Sequence, residues 1–119
     1  MIVYLTDEDA AKEAERRLKE LIDGHGEWLC AGGQAGAAVS LRKSECDFRV
    51  SHGRLVFTYW GMRGALAWRV TAWEWTGDKL LLDASRRMGA ERARLELIPR
   101  ATVAAHAAHV AGTRRQASL

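Results

Sequence analysis

The chain has 119 residues, two cysteines, 28% charged residues and a formal net charge of +3 at pH 7. That length suits one domain burying roughly two thirds of the surface its unfolded chain exposes, so neither a disulfide framework nor a structural metal is required. No apolar run approaches a membrane span of about 20 residues, and no basic segment opens the chain as in a secretory signal, so a cytoplasmic location is expected.

Met1 to Leu5 is a short apolar run suited to a buried strand. Thr6 follows as the expected N-cap, with Asp7, Glu8 and Asp9 at the positive end of a helix dipole. The helix is expected to run to about Asp23, where Gly24 and Gly26 stop it. Ala10, Ala14, Leu18, Leu21 and Ile22 recur at helical spacing and define its sheet-facing side, with Glu15–Lys19 and Arg16–Glu20 as solvent-side pairs. His25, between two glycines, reads as a turn residue. Glu27 to Ala31 and Ala37 to Lys43 read as strands around the loop Gly32-Gly33-Gln34-Ala35-Gly36. That loop lacks the Lys-Ser or Lys-Thr of a P-loop and the spacing of a dinucleotide turn. Cys30 and Cys46 read as buried thiols suited to a reducing compartment.

From Cys46 to Ile98 the chain reads as an antiparallel meander. A two-residue turn at His52-Gly53 sets Phe48 opposite Phe57, Val50 opposite Leu55 and Cys46 opposite Tyr59, with Arg49, Val56, Asp47 and Thr58 on the other face. A turn at Gly77-Asp78 sets Trp75 opposite Leu80, Trp73 opposite Leu82 and Thr71 opposite Ala84. A third at Met88-Gly89 pairs Leu82 with Leu95, Leu80 with Leu97 and Asp83 with Arg94, although Met suits a positive φ poorly. A slip of one residue at any turn exchanges the two faces. Pro99 ends the last strand, and Thr102 is the expected cap of a second helix through about Ala111. The expected architecture is α+β over residues 1–111. It has a mostly antiparallel sheet, a meander of about five to six strands, with an N-terminal helix packed on it and a short C-terminal helix. Residues 112–119 read as a flexible basic tail or a linker to a further domain, which would make the chain the N-terminal module of a larger protein.

Charge is uneven. Residues 1–24 hold four basic and seven acidic side chains, and the rest holds fourteen basic and eight acidic. Fourteen of the eighteen basic residues are Arg, the side chain whose planar fork grips phosphate; a GC-rich coding bias produces the same preference. Continuing the register places Trp68, Val70, Ala72, Leu81, Arg87, Arg92 and Arg94 on the outer sheet face, with Trp68 opposite Arg87 at stacking distance. Glu74 and Glu96 share that face, and Trp73 and Trp75 fall in the core. Trp60 and Trp68 flank the Gly61 turn as possible rim residues. Arg63, in the glycine-flanked turn Gly61-Met62-Arg63-Gly64, is an isolated phosphate candidate. His106 and His109 share one helix side without further ligands near by in sequence, so no metal or cofactor is expected. There is no Gly-x-Ser-x-Gly elbow and no His-Glu-x-x-His helix, so no catalytic residue is assigned. The sequence therefore points to a non-catalytic accessory domain for DNA or RNA, using Arg63, Trp68, Arg87, Arg92, Arg114 and Arg115. The alternative is a protein-interaction or self-association domain using the apolar outer residues Val70, Ala72, Leu81 and Trp68. A small enzyme with a site assembled from distant residues is a third, weaker reading. No membrane partner is expected.

Overall fold

Residues 1–32, 38–61 and 64–102 are described by a computed structural model. The elements are β1 (Val3–Tyr4), α1 (Glu8–His25), β2 (Glu27–Ala31), β3 (Val39–Arg42), β4 (Cys46–Ser51), β5 (Arg54–Gly61), β6 (Gly64–Trp75), β7 (Leu80–Arg86) and β8 (Glu91–Pro99). They form one antiparallel sheet in the order β3-β2-β8-β7-β6-β5-β4, with β1 paired to the far half of β6. The expected meander is β4 to β8, and β1, β2 and β3 enlarge it. The chain turns helical at residues 100–102, directly after Pro99. The expected second helix over 103–111, the tail over 112–119 and most of the Gly32–Gly36 loop lie outside the described residues.

The topology forces curvature. β3 and β4 are the two ends of the strand order, yet only Lys43–Glu45 separate them in sequence. A flat sheet of that order would hold its edges about 29 Å apart, whereas the linking segment spans about 14 Å fully extended. The sheet therefore curls into a half-barrel, and α1 packs inside it against β4, β5 and β2. Ala11, Ala14, Leu18 and Ile22 are the buried helix residues; Ala10 and Leu21 lie partly exposed beside them. Asp7, one residue later than expected, is the N-cap: its carboxylate accepts from the Ala10 amide at 2.8 Å. The helix runs on to His25 and closes at Gly26, which takes the left-handed φ of 77°. The Glu15 carboxylate also accepts from the Val50 amide, tying α1 to β4.

Both well-formed turns match expectation. His52 and Gly53 both have positive φ, as a primed two-residue hairpin needs, and Ser51 pairs with Arg54. Trp75 pairs with Leu80 around Gly77. In the third hairpin the strand register is the expected one, but pairing stops at Arg86 with Glu91. Arg87, Met88 and Gly89 then form a left-handed run at φ 52°, 57° and 87°.

One register differs, and it reverses two placements. β6 carries a bulge between Val70 and Ala72: on one side Trp73 pairs with Leu82 as expected, on the other Val70 pairs with Ala84. The unmatched residue is Thr71, whose hydroxyl donates to the Asp83 carbonyl at 3.2 Å. A bulge inverts the facing of everything beyond it. Trp68 and Val70 therefore point into the core, at 1% and 2% exposure, opposite Phe57 and Ala84. Ala72 is buried as well, in a crevice lined also by Ile2 and Leu81. The Trp68 ring is met by the Arg86 guanidinium at 5.1 Å, in place of Arg87.

Candidate nucleic-acid interface

Alternation along strands turns the bulge into a surface feature. With Trp68 and Val70 inward, Arg69 between them projects outward. The registers align Val56, Arg69, Ser85 and Arg92 in one row across β5, β6, β7 and β8. Arg69 and Arg92 are thus two strands apart, about 10 Å, with the small Ser85 between them. The neighbouring row ends in the pair Asp83–Arg94, and Arg54 opens β5 beside it. These residues line an open groove of about 1370 Å³, bounded by Ser51 and His52 from one hairpin tip and by Arg87, Met88 and Gly89 from another.

Among the described residues, six arginines line this groove against a single acid, Asp83. They are not equivalent. Arg94 is bound to Asp83 at 3.2 Å, Arg86 to Glu91 at 3.6 Å, and Arg87 approaches the same Glu91 at 4.0 Å. Among the described residues Arg54, Arg69 and Arg92 have no ion pair, and all three are exposed. Three guanidiniums from β5, β6 and β8 therefore offer unspent donors to one open groove, an arrangement a row of phosphates complements.

Of the sequence candidates, Arg87 and Arg92 stand in the groove. Trp68 is corrected from outer face to core, where no base can stack on it. Arg63, Arg114 and Arg115 lie outside the described residues, as do His106 and His109. Arg54 and Arg69 were missed. The signal for Arg69 was present: pairing β5 with β6 around Gly61 and Gly64 puts Trp68 opposite the core residue Phe57, which sends Arg69 outward.

Other chemistry is sparse. Burial pushes the Cys30 thiol up to about 12 and the Cys46 thiol up to about 11, leaving both protonated at neutral pH. Burial likewise raises the Tyr59 phenol. A second crevice of about 400 Å³ runs between α1 and Trp73 and Trp75, but Arg17 already covers the Trp73 ring at 5.5 Å. His25, the last residue of α1, packs on Trp28 and Trp75 at 5.1 and 5.5 Å. Among the described residues no three His, Cys, Asp or Glu side chains gather as a metal site, and no helix is long and apolar enough to cross a membrane. Comparison with protein-family models, with curated proteins and with solved structures found no match.

Proposed function

We propose that this chain is a non-catalytic accessory module that binds nucleic acid through its phosphates, in the groove across the outer face of β5 to β8. The observation that supports it is the convergence of Arg54, Arg69 and Arg92, none ion-paired among the described residues, beside Arg87 and Arg94. Phosphate contacts of this kind carry affinity and position without reading sequence. Binding is therefore expected to be strong at low salt, tolerant of sequence and steeply salt-dependent.

Fluorescence anisotropy of a labelled oligonucleotide across a salt series tests this. For a single strand each neutralised phosphate contributes about −0.7 to the log–log salt slope, so the triple variant Arg54→Ala, Arg69→Ala, Arg92→Ala should flatten the slope by about 2. No binding at low salt, or an unchanged slope in the triple variant, ends this reading. The alternative, a protein-interaction or self-association surface through Val70, Ala72, Leu81 and Trp68, keeps only the half-buried Leu81 partly accessible, because the other three are buried.

A further inference from the structure

We infer that the ligand of the groove is single-stranded nucleic acid and that Trp60 is the platform on which a base stacks. This rests on the phosphate-binding reading and adds the class of strand to it. Of the five tryptophans, Trp60 alone is exposed, at 49%, and it lies on the outer face of β5 with the groove residue Val56. The other four indoles are engaged: Trp28 and Trp75 pack on each other and on His25, while Trp68 and Trp73 lie under Arg86 and Arg17. Among the described residues neither an aromatic ring nor a cation covers Trp60.

Its surroundings are small. The cross-strand partner is Ala65, and Ala67 follows on the same face of β6, both exposed. No side chain larger than a methyl group stands at either position, so a flat ring can approach the indole from the β6 side. Ala65, Ala67 and Arg69 alternate outward along one strand, and a four-residue step along β5 places Trp60 about 13 Å from the Arg69 row. The β5–β6 and β7–β8 connections lie at the same end of the sheet, and the fully exposed Met88 stands on the second of them. A strand whose phosphates sit on Arg69 and Arg92 meets, at one end, an alanine floor beside an exposed indole. Such a surface accepts an unpaired base of any identity, because every base has a π-face. In a duplex those faces are already stacked.

Binding of dT12, U12 and a 12-base-pair duplex is compared by anisotropy at low salt for wild type, Trp60→Ala, Trp60→Phe and Arg69→Ala/Arg92→Ala. Stacking is expected to make Trp60→Ala lose about five- to hundred-fold on the single strands, with duplex binding held within about twofold. Trp60→Phe should recover most of that loss. Intrinsic fluorescence should be quenched by dT12 in wild type and not in Trp60→Phe, since the other indoles are covered. The arginine double variant should weaken all three ligands. Equal losses on single strand and duplex in Trp60→Ala, or none on either, overturn the stacking role while the phosphate reading survives through the arginine variant. Absence of binding to every probe at low salt overturns both. The dT12 and U12 arms separate DNA from RNA preference.

Discussion

Replacing Trp68 by Ala separates the two registers of β6 more sharply than any other single substitution. Without the bulge the indole lies on solvent and its removal costs little. With the bulge it is 1% exposed, opposite Phe57 and within the core that also contains Tyr59 and Val70. Truncating a fully buried Trp costs about 3–5 kcal/mol, as lost transfer energy plus the cavity left behind. That is a large share of the 5–15 kcal/mol by which a domain of this kind is stable. With an unfolding entropy of about 2.1 cal/mol/K per residue, each kcal/mol moves Tm by about 4 °C in a chain of 119 residues. The expected fall is therefore about 12–20 °C, read by circular dichroism, with a matching drop in the urea midpoint. Trp60→Ala is the control, and its exposed ring should cost less than about 1 kcal/mol. A Trp68→Ala midpoint within about 0.5 kcal/mol of wild type would refute the bulge and, with it, the outward placement of Arg69.

Gly32→Ala should destabilise by more than about 2 kcal/mol in urea titrations, because its φ is 92° and an added Cβ collides with the Arg94 carbonyl oxygen, whereas Gly24→Ala meets open space in α1 and should gain up to about 1 kcal/mol. Asp83→Asn removes an acid of the groove and releases Arg94, so oligonucleotide affinity at low salt should rise and the single-strand salt slope steepen by about 0.7. The thiols of Cys30 and Cys46 should resist a disulfide reagent at pH 8 in the native protein and react fully in denaturant. Because folding raises both thiol pKa values above their ordinary value near 9, their contribution is intact below pH 9 and is lost as pH climbs toward about 11 and 12. Urea midpoints should fall between pH 8 and 10.5, and less so in Cys30→Ala when each curve is taken relative to its own value at pH 8.

The fold was legible where local chemistry and face alternation agreed. His52-Gly53 and Gly77-Asp78 are turns by residue type, and the apolar residues they oppose all lie inward, so β4 with β5 and the far half of β6 with β7 could be paired in advance. The helix was legible from its periodicity; its cap shifted by one residue, because Thr6 and Asp7 are both competent caps, and its end ran past Gly24 to His25. The curl of the sheet was not legible, since it follows from β2 pairing with β8, a contact between distant segments that no local pattern announces. The groove was half legible: Arg87 and Arg92 followed from the β7–β8 register, but Arg54 and Arg69 needed a third dimension and the bulge.

The bulge at Thr71 is where fold and site meet. β6 serves two partners with opposite demands: β5 requires even-numbered Trp68 and Val70 inward against Phe57 and Leu55, while β7 requires odd-numbered Trp73 and Trp75 inward against Leu82 and Leu80. One continuous strand cannot satisfy both, because strict alternation sends either the first pair or the second to solvent. A single extra residue reconciles them, and the Thr71 hydroxyl bond to the Asp83 carbonyl partly replaces the interrupted ladder. The same residue decides the fate of Arg69. In an unbulged strand it would share the face of Trp73 and face inward; with the bulge it joins Ser85 and Arg92 in one outward row. The device that completes the hydrophobic core thus also sets the central guanidinium of the groove, so losing Thr71 from the chain should lower stability and turn Arg69 away from Ser85 and Arg92 together.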